Sequence, residues 1–251
     1  MKEYELCFKC HSSWTTRPAG QTDLALVFNP ANESFHPVEG PGRNATTTMS
    51  NSLDGGTGLP HLSTNSVITC ADCHNNNAMP RTVSLVSTYT GAVPSGPHGS
   101  TVTTPSSGAL LRAPYRATLK PRSSTNDFTL EEFSLCFICH ASGPFRTTSE
   151  NSRSDTSFRF HGLHLNRINT QGNGAGDINT PGAGMGNAIC RECHFNTHGT
   201  RGAVVSGNQA YTKGVNFSPN IQGPGGVGQP QWTPGSCRMR CHGQNHNPET
   251  Y

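Results

Sequence analysis

The chain has 251 residues, enough for one or two ordinary domains, but only 32% are hydrophobic and 13% charged, while 28 are glycine and 18 proline. A self-sufficient apolar core usually needs more leucine, isoleucine, valine and phenylalanine, so this composition excludes an ordinary globular domain packed by side chains alone. The formal net charge of +3 is too small to indicate a disordered, self-repelling chain, and 10 cysteines and 12 histidines indicate an interior filled by something else.

The beginning of the chain lacks the apolar segment of a secretory signal between Met1 and Cys7. The sequence therefore predicts a mature or trimmed form. Nowhere does it contain the roughly 20 consecutive apolar residues of a membrane-spanning helix, so we expect a protein that is not membrane-spanning.

Five cysteine pairs recur along the chain, and each is followed at once by a histidine. In chain order they are Cys7-Phe8-Lys9-Cys10-His11, Cys70-Ala71-Asp72-Cys73-His74, Cys136-Phe137-Ile138-Cys139-His140, Cys190-Arg191-Glu192-Cys193-His194 and Cys237-Arg238-Met239-Arg240-Cys241-His242. Four follow C-x-x-C-H, the attachment motif of c-type haem, and the fifth has one additional residue between its cysteines. Two thiols at this spacing reach the two vinyl groups on one porphyrin edge. The sequence thus predicts five covalent haem c groups, with the five motif histidines as proximal iron ligands.

Other cysteine chemistry fits these motifs less well. Zinc ribbons use C-x-x-C pairs but do not need a histidine directly after the second cysteine. Disulfides between cysteines three apart are redox motifs, which rarely recur five times in one chain. Each ferric haem with ionised propionates adds a charge of about −1, so five haems reverse the basic sign and no nucleic-acid partner is expected.

Each iron also needs a sixth ligand. The histidines outside the motifs are His36, His61, His98, His161, His164, His198 and His246. Methionine is the other common ligand, and Met49, Met79 and Met185 are the candidates. Seven histidines for five irons favour two histidines on every iron. His61, on a polar loop, is the weakest candidate.

Two of these histidines follow a motif histidine by four residues: His198 follows His194, and His246 follows His242. On a helical turn this offset places both imidazoles on one side. Neither His198 nor His246 would then reach the far face of its own haem. We expect each to bind the iron of a neighbouring haem.

The chain contains an internal repeat. The first motif matches the third, and the second matches the fourth, with Pro97-His98-Gly99-Ser100 after one and Thr197-His198-Gly199-Thr200 after the other. The repeat predicts a di-haem unit over 1–125, a second over 126–217, and a C-terminal segment, 218–251, with the fifth haem. Stacked repeats predict a continuous chain of haems.

Regular structure is expected to be scarce. The sequence predicts short helical turns at the motifs, a helix over Leu130–Phe137 capped by Asp127 or Thr129, and a strand over Val83–Tyr89. Turn-rich loops are predicted over Thr46–Gly58, Gly172–Gly186 and Gly223–Gly235. The predicted fold class is mostly irregular coil with short helices and few short strands, organised around a stacked haem chain.

With these motifs the chain resembles the multihaem cytochromes c of the cytochrome c3-like group with doubled C-x-x-C-H motifs. The similar segments are Leu6–His11, Phe35–Arg43, Gly96–Ser100 and Phe160–Leu165. The sparse secondary structure also resembles that of outer-membrane cytochromes that polymerise into extracellular nanowires. The resemblance implies bis-histidine haems in alternating parallel and T-shaped pairs, and one iron ligated from the next subunit.

The expected function is electron transfer rather than catalysis. The nanowire resemblance implies an exported, extracellular or cell-surface protein that partners itself in a helical homopolymer and meets redox partner proteins and extracellular acceptors. A soluble periplasmic carrier and a multihaem reductase are the alternatives. A reductase needs an iron with an open coordination position, and the surplus of histidine argues against one.

Overall fold

The computed structural model describes residues 1–15, 17, 19–54, 62–74, 98, 111–119, 128–146, 155–166, 187–201, 211–241 and 244–251. Most of these residues form turns and irregular segments, joined by short helices and two small antiparallel sheets. This confirms the coarse prediction of a mostly irregular chain. Within the described residues, no helix combines the length and apolar character needed to cross a membrane.

The α-helices are short, and two of them contain motif cysteines. They are α1 (Glu3–His11), α2 (Leu24–Val27), α3 (Thr47–Asp54), α4 (His161–Asn166) and α5 (Cys190–Cys193). Single 3-10 turns cover Cys70–Asp72, Glu131–Phe133, Cys136–Ile138, Gly143–Phe145 and Pro224–Gly226. The first four motifs therefore begin on helical turns, as predicted. A turn of this kind brings the two cysteines of C-x-x-C to the same side of the backbone.

The fifth motif is different, because it lies in a strand. A three-stranded antiparallel sheet contains β3 (Gln231–Thr233), β4 (Ser236–Cys241) and β5 (Gln244–Thr250), in that order. Met239 pairs with His246 and Cys241 with Gln244, and the register shifts between Cys237 and Met239. The predicted helical turn at this motif is wrong, since cross-strand hydrogen bonds satisfy its backbone instead.

A second, two-stranded sheet joins distant parts of the chain. β1 (Ser34–Phe35) pairs antiparallel with β2 (Gly199–Thr200). The hydroxyls of Ser34 and Thr200 lie 2.9 Å apart and are buried. This pairing places His36, just after β1, beside His198, just before β2, and the His36 N–H donates to the His198 carbonyl at 3.0 Å.

Apolar residues gather in two clusters. The smaller consists of Phe8, Phe28 and Val38 and lies between α1 and α2. The larger joins the third, fourth and fifth motifs; its buried members are Phe128, Phe133, Phe137, Leu165, Ala188, Ile189, Val215, Phe217, Ile221 and Met239. Cys70 of the second motif packs on the smaller cluster, and cysteines of the last three motifs pack on the larger one. Residues of all five cysteine motifs thus belong to the apolar clusters or pack against them.

Several local predictions need correction. The expected loop over Thr46–Gly58 contains α3, whose first turn is capped by the Thr46 hydroxyl accepting from the Met49 N–H at 3.2 Å. The expected helix over Leu130–Phe137 is broken into two 3-10 turns. The expected loop over Gly223–Gly235 includes β3.

Two further predictions, the strand over Val83–Tyr89 and the loop over Gly172–Gly186, lie outside the described residues, as does Asp127. Thr129, the other cap named from sequence, accepts from the Glu132 N–H at 3.4 Å. This contact serves the first of the two 3-10 turns.

Candidate functional site

The ten motif cysteines all carry free thiols. Where the pKa of one of these thiols departs from its ordinary value, the pKa is raised, and burial is the largest cause. The pKa reaches about 12 for Cys70, Cys73, Cys136 and Cys193. Such thiols are protonated near neutral pH, whereas redox-active C-x-x-C pairs depend on a thiol of lowered pKa. The raised pKa values are thus unlike those of a redox-active dithiol.

Each of the five motifs lies near the next one in the chain, and we call this series the row of motifs. Burial is the largest cause of these raised pKa values, and the charge of a thiol in an adjacent motif is a further cause. Because such a charge acts only over a short distance, the thiols of successive motifs lie near one another. The neighbouring thiols are Cys7 and Cys70, Cys73 with Cys136 and Cys139, Cys136 and Cys190, and Cys193 with Cys237 and Cys241. Each motif therefore has the next motif of the chain as a neighbour.

Three pairs of histidines face each other at nearly the same spacing. The distances between ring centres are 6.1 Å for His11 and His98, 6.1 Å for His74 and His198, and 6.4 Å for His164 and His246. A metal–imidazole bond of about 2 Å, with the ring centre about 1 Å beyond the nitrogen, puts two rings on opposite sides of one metal roughly 6 Å apart. The observed spacing is compatible with two imidazoles on opposite sides of one metal.

Packed aromatic rings also occur at such distances, so the identity of the partners carries equal weight. His11 and His74 are motif histidines, and each meets one histidine from outside the motifs, His98 or His198. The partners are far apart in sequence. Pairing of a proximal with a distal candidate is what bis-histidine ligation predicts.

Hydrogen bonds fix which ring nitrogen carries the proton. The Nδ1 of His164 lies 2.9 Å from the Phe160 carbonyl, and the Nδ1 of His194 lies 3.0 Å from the Gly214 carbonyl. The Nδ1 of His36 contacts the Thr197 carbonyl. A carbonyl only accepts, so each of these Nδ1 atoms donates, and Nε2 is the deprotonated nitrogen that binds a metal.

Hydroxyl groups contact the Nδ1 atoms of two more histidines. Thr156 Oγ1 lies 2.8 Å from His161 Nδ1, and Ser52 Oγ lies 3.3 Å from His140 Nδ1. Neither hydroxyl was identified from sequence: Ser52 lies 88 residues from His140, and Thr156, although only five residues before His161, belongs to no motif. The same is true of the backbone carbonyls of Thr197 and Gly214.

The charges of other histidines show that four more histidines lie near one another. Burial lowers the pKa of His140 to about 4, and the next cause is the charge of His36. Burial likewise lowers the pKa of His161 to about 3, followed by the charge of His194. These charges place His36 near both His140 and His194, and His161 near both His194 and His164. Neutral imidazole is the form that binds iron.

Two sequence-based arguments about position were wrong. His198 lies in a bend before β2, and His246 lies in β5, so neither follows its motif histidine on a helical turn. His198 nevertheless meets the histidine of a different motif, His74. His61 and the fifth motif histidine, His242, lie outside the described residues.

Within the described residues, no group of three or more histidine, cysteine, aspartate or glutamate side chains could by itself hold a metal ion. Haem iron takes only its axial ligands from the protein, so opposed histidine pairs are the relevant feature. Comparison with protein-family models, with curated proteins and with solved structures finds no match to this chain.

Proposed function

We propose that this chain is an electron-transfer protein with five covalently attached haem c groups, each ligated by two histidines. The observation that carries the proposal is the row of five motifs, along which histidines from distant segments face each other at about 6 Å. When bound, haem supplies one-electron chemistry at its iron. The chain provides thiols for attachment and oriented imidazoles for ligation.

The low apolar content supports the same proposal. Among the described residues, buried apolar side chains form one cluster of ten residues and one of three. Five porphyrins lining the motif row would contribute the apolar surface that the sequence lacks, in the way that metals and disulfides stabilise small folds. Electron transfer without catalysis follows from full axial ligation, which leaves no iron position for a substrate.

The composition of the holoprotein tests this proposal. Pyridine haemochrome analysis and intact mass should give five haems per chain, with no reactive thiol left. Electron paramagnetic resonance should show only low-spin iron in the oxidised protein. A haem count of zero, or free thiols in all five motifs after expression with a cytochrome c maturation system, would contradict the proposal.

The proposed assembly is a head-to-tail filament at the cell surface, in which a neighbouring copy continues the row of motifs. The first and fifth motifs are the first and last members of this series along the chain, and Leu6 and Trp14 beside the first motif are more than half exposed. A heterologous contact that does not close into a ring produces an open helical fibre. In such a fibre electrons pass from copy to copy toward extracellular acceptors.

A further inference from the structure

We infer that Ser34, in β1, is a positioning residue for the motif histidine His194. This inference rests on the proposed function and concerns the haem attached at Cys190 and Cys193. Ser34 belongs to no motif and lies far from His194 in the chain. Its hydroxyl acts on the iron through a backbone turn and the His194 imidazole, and it lowers the reduction potential of that haem.

A tight turn over 211–215, here called the Gly214 turn, presents a carbonyl to the His194 ring. The Tyr211 N–H donates to the Val215 carbonyl at 3.0 Å and closes the turn. Gly214 has a positive φ of 72°, a conformation that glycine adopts at no steric cost. The His194 Nδ1–H donates to the Gly214 carbonyl at 3.0 Å. The position of this turn therefore decides how strongly His194 donates.

The Ser34 hydroxyl holds the Gly214 turn from the other side. The Gly214 N–H donates to Ser34 Oγ at 2.8 Å, and Ser34 Oγ donates to the Tyr211 carbonyl at 2.9 Å. Both bonds join β1 to the turn, and Ser34 is only 9% exposed. Removing a buried partner leaves the groups that it served unsatisfied, which costs free energy. The hydroxyl thus fixes the residue whose carbonyl orients His194.

The expected consequence is a lower reduction potential at one iron. A hydrogen bond from Nδ1 to a carbonyl raises the basicity of the coordinating Nε2. A more basic ligand stabilises ferric iron more than ferrous iron, so the potential falls. If the Gly214 turn moves away from the ring, His194 donates less strongly and the potential of its haem rises.

Thr200 offers a matched control, because its hydroxyl belongs to the same buried group. Thr200 Oγ1 accepts from the Ser34 N–H at 3.1 Å, and it lies 3.0 Å from the Ser34 carbonyl and 3.3 Å from the Tyr211 carbonyl. T200V removes these contacts and leaves the Ser34 hydroxyl bonded to the Gly214 turn. S34A does the reverse, since it keeps the bond from the Ser34 N–H to Thr200 and breaks both bonds to the turn.

Potentiometric titration of the holoproteins, followed by electron paramagnetic resonance, tests the inference. S34A should keep five low-spin haems and shift one of them to a higher potential. T200V should leave the potential of that haem unchanged. An S34A protein with five haems at wild-type potentials would overturn the inference, and so would an equal upward shift of the same haem in both variants.

The variant C190S/C193S, which lacks the haem in question, identifies the iron. Adding S34A to it should leave the remaining potentials unchanged, and a shift among them would overturn the inference.

Amide hydrogen exchange in the wild-type holoprotein needs no variant that could misfold. The Gly214 N–H should exchange slowly, because it donates to a buried hydroxyl. Exchange at the rate of a free loop amide would overturn the inference. A wild-type protein without covalent haem would instead count against the proposed function.

Discussion

At the scale of single residues, the distal histidines should govern the spin state of individual irons. H98A and H198A each remove the histidine that faces a motif histidine at 6.1 Å. Each variant should therefore show one high-spin haem in five, and a lower yield because haem is the proposed core. H61A, at the weakest candidate from sequence, should keep five low-spin haems. Electron paramagnetic resonance and carbon monoxide binding measure both effects; a high-spin haem in H61A alone would reverse this ranking.

Asp23 offers a residue-scale test of stability that does not involve a haem ligand. Its carboxylate caps α2 by accepting from the Leu26 N–H at 3.4 Å, and it also accepts from the Ser13 N–H at 3.1 Å. Burial acts to raise the pKa of Asp23, but the hydrogen bonds from Ser13 and Leu26 and the charge of Arg17 outweigh it and lower the pKa. D23A should reduce the free energy of unfolding by about 1 kcal/mol, as measured by denaturant titration at neutral pH.

The pH dependence of the same residue has a definite sign. Because the folded state lowers the pKa of Asp23, its ionised form contributes stability above the unfolded pKa of about 3.9. That contribution is lost as the pH falls through the lower folded pKa. The stability difference between wild type and D23N should therefore shrink below about pH 4. A difference that stays constant from pH 7 to pH 3 would contradict this account.

At the scale of elements, β2 depends on a glycine. A Cβ on Gly199 would collide with the Val27 carbonyl oxygen and lie 3.2 Å from the Phe35 Cβ. G199A should therefore push β2 away from β1 and displace the adjacent His198, at a cost of about 1–3 kcal/mol. We expect a lower denaturation midpoint together with a high-spin signal from one haem. G40A is the matched control, since its Cβ would meet only Pro30 at an ordinary 3.8 Å.

The helices and strands also show which local structures could be predicted from the sequence. Motif spacing correctly predicted helical turns at four motifs, because C-x-x-C geometry is local. It failed at the fifth, where Cys237 and Cys241 belong to a hairpin set by pairing with β5. It also failed at α3, whose polar composition is typical of a loop. There the Thr46 cap and a backbone hydrogen bond of 2.7 Å from the Ala141 N–H to the Ser52 carbonyl support a helix.

The candidate site likewise has features that the sequence predicts and features that depend on the folded backbone. The cysteines and proximal histidines are read from contiguous motifs, whereas the choice of distal partner depends on contacts across the fold. The β1–β2 pairing links residues about 165 positions apart, and it positions both His36 and His198. Registers of this kind depend on the folded backbone, so the sequence alone left the distal pairing open.

At the scale of the whole molecule, the proposed filament predicts a surface that is needed for assembly but not for haem binding. Trp14 is 58% exposed beside the first motif, which begins the row of motifs. W14E should leave five low-spin haems and yet prevent or shorten filaments, because a charge there would be buried against the next copy. T118E, at an exposed residue in the middle of the chain, is the control and should assemble normally.

Electron microscopy and sedimentation of the holoprotein decide the outcome. Filaments in wild type and T118E, and short or single species in W14E with an unchanged haem spectrum, are the expected results. A wild-type protein that remains a monomer at high concentration would rule out the proposed filament and favour a monomeric carrier of the same chemistry. Filaments of normal length in W14E would instead place the contact between copies away from the first motif, since a buried charge is too costly to leave assembly unchanged.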